Sequence, residues 1–183
     1  MRNSEEASSW VQRWSHLAPA GTPVLDVACG LGRHLRWFAA LGHPVIGVDR
    51  SPEAVQAAAA VGEALCADIE NAPWPFAGRQ FGVVVVTNYL WRPLLPVILA
   101  SVAPGGVLIY ETFASGNETV GKPARPDFLL QPGELLSACA GMRIVAYEDG
   151  YLEMPERFVQ RIAALRPEAD HGTLPRYCLA SPL

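Results

Sequence analysis

Apolar positions along the chain fall into two rhythms, a helical period and short continuous runs, and these divide most of it into helices and strands. Trp10, Val11, Trp14 and Leu17 share one helical face, so their spacing predicts an amphipathic helix ending before Pro19. The apolar run 24–28 reads as a buried strand. A glycine turn follows, and Leu35, Phe38 and Ala39 carry a helix over 33–41 that Gly42 closes. The unit then repeats: residues 45–48 form a second strand, Ser51 caps a helix with Pro52 at its first position, and 54–60 supplies strong helix formers.

A short third strand is expected at 64–67, before a loop through Pro73, Trp74 and Pro75. Four consecutive valines inside 81–87 suit a central parallel strand covered on both faces. A helix over 93–102 tolerates Pro96 in its first turn, and Pro104-Gly105-Gly106 turns the chain into a fifth strand at 107–112. The last third changes character. A long loop, 113–131, is punctuated by Gly116, Gly121, Pro123 and Pro126, and loops of that length in compact domains usually serve function. A helix at 133–140 precedes strands at 142–148 and 158–166, whose link is too short for a helical crossover and demands antiparallel pairing. The tail, 167–183, has no periodicity and is assigned no regular structure. The pattern predicts an α/β, doubly wound mixed sheet in one domain: an N-terminal helix in 1–23, a core over 24–166, and the tail.

Composition narrows the function classes. With 183 residues, 50% hydrophobic and 17% charged, the chain buries one substantial core and is not disordered. A formal charge of -4 without a basic run argues against nucleic acid as a partner and favours a small-molecule substrate. Cys29, Cys66, Cys139 and Cys178 lie far apart with no zinc-ligand spacing, so neither a disulfide framework nor a metal site is expected. No stretch approaches the roughly 18 apolar residues of a membrane span, and the first residues lack a signal-peptide core, so a cytoplasmic monomer or homodimer is expected.

The most informative segment is Val24-Leu25-Asp26-Val27-Ala28-Cys29-Gly30-Leu31-Gly32-Arg33-His34, a strand, glycine turn and helix start that brings backbone amides close to a ligand. A dinucleotide fingerprint would place a third glycine where this chain has Leu35, and Asp26 would repel its pyrophosphate. A ligand with a cationic group beside its adenosine removes that conflict. Asp26 can accept from an ammonium while the helix start faces a carboxylate, and S-adenosylmethionine has both groups. Asp49, 19 positions after Gly30 at the end of the second strand, is placed for ribose hydroxyls, with Arg50 beside it. Asp68, ending the third strand, can accept from an adenine amino group while Ile69 backbone completes the edge. Ala28, Gly32 and His34 complete the expected cofactor set, His34 facing either the ligand carboxylate or solvent.

On these residues the chain resembles the class I S-adenosylmethionine-dependent methyltransferases. Residues 24–34 are similar to the family's glycine motif, 45–52 to its ribose motif, 67–76 to its adenine motif, 81–93 to its substrate-facing segment, and Ala103-Pro104-Gly105-Gly106 to the turn before strand five. The resemblance implies a Rossmann-like sheet of seven strands, order 3-2-1-4-5-7-6 with strand seven antiparallel, and helices on both faces. Ala28 stands where the family has glycine. A narrower resemblance, carried by 126–135 and the closing hairpin, is to small bacterial tellurite-resistance methyltransferases, whose substrate is not carried over on so few residues; a soft sulfur, selenium or tellurium acceptor is expected instead because the sequence offers no His/acid pair to serve as a general base.

Asn88, Tyr89 and Trp91 leave the central strand at its C-terminal end, where open α/β sheets bind ligands, and are expected to form the acceptor side, Asn88 also touching cofactor. Asn88 through Trp91 loosely resembles the Asn-Pro-Pro-aromatic motif of amino-directed methyltransferases, but both prolines are missing. Glu111, Lys122 and Arg125 are further candidates for acceptor contact, although the two cations read first as solvated charges. Trp10 and Trp14 read as packing rather than a lid. The competing readings are a nicotinamide oxidoreductase, disfavoured by Leu35 and Asp26, and a cofactor-binding protein without turnover.

Overall fold

The structure is a computed structural model in which residues 6–168 and 175–179 are described. Seven strands form one sheet: β1 (Val24–Val27), β2 (Val45–Asp49), β3 (Glu63–Cys66), β4 (Phe81–Thr87), β5 (Val102–Phe113), β6 (Arg143–Glu153) and β7 (Glu156–Leu165), in the order β3-β2-β1-β4-β5-β7-β6. Pairings are parallel up to β5, and β7 runs antiparallel to both β5 and β6, as expected. Every residue of β4 is buried. Val83 and Val85 join one hydrophobic core while Val84 and Val86 join the other, which is why that strand tolerates no polar face.

Helices α1 (Ser9–Trp14), α2 (Arg33–Ala40) and α3 (Pro52–Ala58) place Trp10, Trp14, Phe38 and Ala58 on the first core, and α4 (Leu95–Ala100) and α5 (Glu134–Ala138) place Ile98 and Leu135 on the second. Ser8 caps α1 by accepting from the Trp10 amide at 3.2 Å, and Ser51 caps α3 by accepting from Ala54 at 3.3 Å, with Pro52 in the first turn. Trp10 and Trp14 are packing residues: they meet edge to face at 5.7 Å, and the Trp10 indole donates to the Ile162 carbonyl. Trp74 and Phe76 likewise anchor their loop on the core.

Three expectations need correction. The helix at 93–102 is a 3-10 turn, Arg92–Leu94, leading into α4, which stops at Ala100 because Val102 is already paired with Phe81. The fifth strand begins at Val102, the register shift between Phe81 and Val83 absorbing the residues read as a turn. The long loop, expected as a loop, carries local order of its own. It holds 3-10 turns at Asn117–Thr119 and Pro126–Phe128 and a bridge between Ala114 and Leu130. Its anchor is Asn117, 1% exposed, which donates to the Pro123 carbonyl at 2.9 Å and accepts from the Phe158 amide at 3.2 Å. The last two strands also run longer than expected, to Glu153 and from Glu156, so their hairpin reaches past the end of β5. The described part of the tail has no helix or strand, and 169–174 and 180–183 lie outside the described residues. Among the described residues, no helix is long and apolar enough to cross a membrane.

Candidate functional site

The C-terminal tips of β1, β2, β4 and β5, with the segment after β3, open onto two cavities of about 530 and 930 Å³. They share a wall made by Ala28, Asn88, Tyr89, Phe113 and Lys122, so they form one continuous trough across the sheet. The smaller cavity carries Asp49, Arg50, Asp68, Ile69 and Glu70. The larger carries Gly30, Arg33, His34, Glu111 and Arg157, and is roofed in part by Glu6–Ser9 and Gln12.

The turn after β1 is shaped by two glycines with different duties. Gly30 has φ +53, and a β-carbon there would enter open space, so its surface is left for a ligand. Gly32 lines neither cavity. It has φ +77, and a β-carbon would stand 3.2 Å from the Ala58 Cα, so it serves the packing of turn against α3. Between them in effect lies Asp49, whose Oδ2 accepts from the Gly30 amide and Oδ1 from the Ser51 amide, each at 2.9 Å. That carboxylate therefore ties β2 to the glycine turn, and its remaining lone pairs face the smaller cavity. Asp68 accepts from the Glu70 and Asn71 amides and the Asn71 side chain. These bonds, the Asn71 side chain first, hold its carboxyl below the usual range.

Asp26 lies just beneath the trough floor, 1% exposed, and lines neither cavity. Both of its carboxylate oxygens lack a hydrogen-bond partner, and the His34 imidazole stands beside them, Nδ1 to Oδ2, at 3.4 Å. A buried carboxylate so poorly satisfied is costly, and it makes the floor above it attractive to positive charge. His34, 2% exposed, is not on the surface; its Nε2 accepts from the Ser8 amide at 3.3 Å, which puts the ring proton on Nδ1 toward Asp26. Cys29, beside the turn, is an inert thiol: burial, then Asp26 and Asp49, push it up to about 12.

At the shared wall, Ala28 and Asn88 adopt φ of 55° and 54° on the adjacent tips of β1 and β4. Left-handed backbone is unusual for alanine and natural for asparagine, and such residues gather at ligand sites. Tyr89 is half-buried; its carbonyl accepts from the Tyr110 hydroxyl at 2.9 Å, while its own hydroxyl is buried without a partner. Burial and the neighbouring Glu70 carboxylate push that phenol well above its ordinary range. Trp91 is not brought to the site. It lines neither cavity and packs against the core, because the chain dives after Asn88 to bury Leu90.

Glu111 is 1% exposed and fully engaged: Oε1 accepts from the Ser8 hydroxyl at 2.9 Å and Oε2 from Arg161 at 3.2 Å. Lys122 lines both cavities, whereas Arg125 pairs with Asp127 at 2.8 Å in solvent. Sequence reasoning missed Arg33, Thr87, Arg157, Ser8 and Phe128. Arg33 sits in the quoted glycine segment and was the one within reach; the others are placed by tertiary contacts that no local pattern encodes.

Comparison with known proteins bears on this geometry. Residues 24–106 match the family described as a methyltransferase domain. Over that stretch, a little under half of its length, the chain is similar to a methyltransferase domain. TehB from Haemophilus influenzae superposes with a TM-score of 0.65 at 19% identity, covering 80% of this chain, which spans 58% of the length of TehB. A TehB-like SAM-dependent methyltransferase from Corynebacterium glutamicum gives 0.61 at 18% identity, covering 83% of this chain and 84% of its own. A SAM-dependent methyltransferase from Methanosarcina mazei gives 0.67 at 14%, covering 90% and 100%. These likenesses share the fold. No curated protein matches by sequence. The matched segment supplies β1 to β4 and the start of β5, hence the glycine turn and the Asp49 and Asp68 side of the smaller cavity, while Thr112, Phe113, Lys122, Pro123 and Phe128 of that cavity, and the roof and far wall of the larger one, come from outside it.

Proposed function

We propose that this protein transfers a methyl group from S-adenosylmethionine to a small-molecule acceptor, acting in the cytoplasm as a monomer or homodimer. The observation that carries the reading is the continuous trough, acidic at the β2 and β3 end and open at Gly30, with an unsatisfied carboxylate beneath its middle. The residues fit the cofactor. Asp49 and Asp68 face the smaller cavity with lone pairs to spare for ribose hydroxyls and an adenine amino group, and Arg50 and Ile69 close that end. Gly30 and Ala28 let the backbone approach the middle of the ligand, Gly32 holds the turn, and Asp26 with His34 supplies negative charge under an ammonium. Arg33 and the start of α2 suit a carboxylate.

When bound, S-adenosylmethionine supplies an activated methyl group: the acceptor's lone pair takes the methyl carbon while the carbon–sulfur pair stays on sulfur as a thioether. The protein's own task is to align the acceptor and exclude water. Asn88 and Tyr89, with Phe113 and Lys122 on the lining common to both cavities, are the residues best placed to bound the transfer point. A soft sulfur, selenium or tellurium acceptor is the favoured class, because among the described residues no imidazole faces the larger cavity with a free nitrogen to act as general base. Calorimetric titration with S-adenosylhomocysteine and with NAD tests the cofactor: the first should bind and the second should not. Labelled-methyl turnover across thiols, chalcogen oxyanions, amines and carboxylates then tests the acceptor, and silence in all four classes would reduce the protein to a cofactor binder.

A further inference from the structure

The two ends of α1 are fastened to different parts of the molecule. Its cap, Ser8, lies in the roof of the trough, and its last turn runs into a 3-10 turn, Ser15–Leu17, whose His16 reaches the C-terminal tail. The described tail residues, 175–179, form no helix or strand, so no backbone ladder fixes them. Tyr177 packs against the first core with the Arg143 guanidinium 5.7 Å from its ring centroid, and the next carbonyl, that of Cys178, lies 2.9 Å from His16 Nε2.

The other nitrogen of the same ring, Nδ1, lies 2.8 Å from the Arg13 carbonyl. Both partners are carbonyl oxygens, which only accept. A neutral imidazole has one N–H and one lone pair, so it satisfies one carbonyl and turns its lone pair on the other. An imidazolium, with two N–H groups, satisfies both. Trp14 favours the same form, since its indole stands 5.9 Å from the His16 ring and an aromatic face attracts positive charge. The other titratable or charged groups on the elements around His16 are Arg13 on α1, Arg143 and Glu148 on β6, and Arg176, Tyr177 and Cys178 on the tail. Arg13 lies over the Trp14 ring and pairs with Glu148 at 3.4 Å. Among the described residues no carboxylate stands within ion-pair distance of His16, and the three arginines oppose a further positive charge, so the two carbonyls are what hold the proton.

We propose that the C-terminal tail is a proton-gated strap over the end of α1 with His16 as its clasp: the imidazolium donates to Arg13 and Cys178 together and holds the tail down, and loss of one proton to water releases it. Terminal segments without a ladder open readily, so a single charged hydrogen bond decides between the two states. Docking is strongest in acid and is lost as the pH rises through the imidazole range, roughly 6 to 7. Neither methyl donor nor acceptor takes part, so the strap stands apart from the methyltransferase reading. What it fastens is the helix whose first turn roofs the trough.

Trypsin supplies the test on the full chain, because the bond after Arg176 lies within the strap. Release of 177–183 is followed by mass spectrometry and divided by the rate on a free peptide of residues 171–183, which removes the protease's own pH profile. Protection should fall at least about threefold between about pH 6 and about pH 8, the scale of one exposed charge-assisted hydrogen bond. His16→Gln, whose amide does not titrate, should show protection that is level across that range, with circular dichroism reporting that the variant is folded. His171 lies outside the described residues and is the control: His171→Gln should keep the wild-type fall. The ring itself is read in the wild-type chain by long-range proton–nitrogen correlation, in which an imidazolium shows two like nitrogens and a neutral ring two unlike ones; protection should be lost in step with the change on His16. Protection absent throughout, level with pH in the wild-type chain, still pH-dependent in His16→Gln, made level by His171→Gln, or persisting once His16 is neutral overturns the proposal.

Discussion

The two ends of the trough are built in opposite ways. At the β2 and β3 end each polar side chain comes from a strand tip or the turn after it, and Asp49 and Asp68 are held by amides two or three residues away, apart from the one bond to Gly30. At the β5 and β7 end the groups converge from α1, α2, β5, β6 and β7, so Glu111 is tied to Ser8 over 103 positions and to Arg161 over 50. A locally wired end keeps its geometry when the rest of the protein changes. A globally wired end depends on the whole fold, and is free to differ among proteins that share the first.

The sharpest way to break this contrast is Glu111→Ala. It strips a buried carboxylate from Arg161, which is 13% exposed, and should destabilise the fold by about 3 to 5 kcal/mol, read from urea unfolding. If the loss is under about 1 kcal/mol, the network at that end is not the structural keystone that its burial implies. Asp49→Ala comes next. It should weaken S-adenosylhomocysteine more than tenfold, about 1.5 to 3 kcal/mol, with a smaller loss of stability from the orphaned Gly30 and Ser51 amides. Unchanged affinity in a folded variant would remove Asp49 from the cofactor set. Ser8→Ala removes both the α1 cap and the hydroxyl on Glu111, so thermal unfolding should show about 1 kcal/mol of destabilisation without a change in cofactor affinity. Smallest is Ala28→Gly, which relieves the left-handed alanine; stability should rise by about 0.5 kcal/mol or stay level, and a clear fall would mean that the Ala28 methyl itself packs on the ligand side.

This same contrast explains what could be read in the sequence. The βα units were legible because each signal is local: Ser51-Pro52 starts α3, the valines of β4 need two apolar faces, and Gly30 with Asp49 fixes the turn. The hairpin pairing followed from a connection too short to cross over. Asn117 hid the order of the 113–131 loop, since one buried amide leaves no periodic trace. Trp91 misled because its position after β4 is right and its direction is set by the burial of Leu90, a matter of packing. Arg157 was unreadable for a plainer reason: its place over the trough depends on how far β7 outruns β5, which only the register reveals.

That overhang has a consequence for how such a protein can diversify. Seven paired positions, from Val107 opposite Leu165 to Phe113 opposite Val159, fasten β7 into the sheet, and only the residues before them project over the opening. Substitutions in that projecting stub can reshape the rim of the larger cavity without touching the tie between Asp49 and Gly30, so the two ends of the trough can vary on separate stretches of chain.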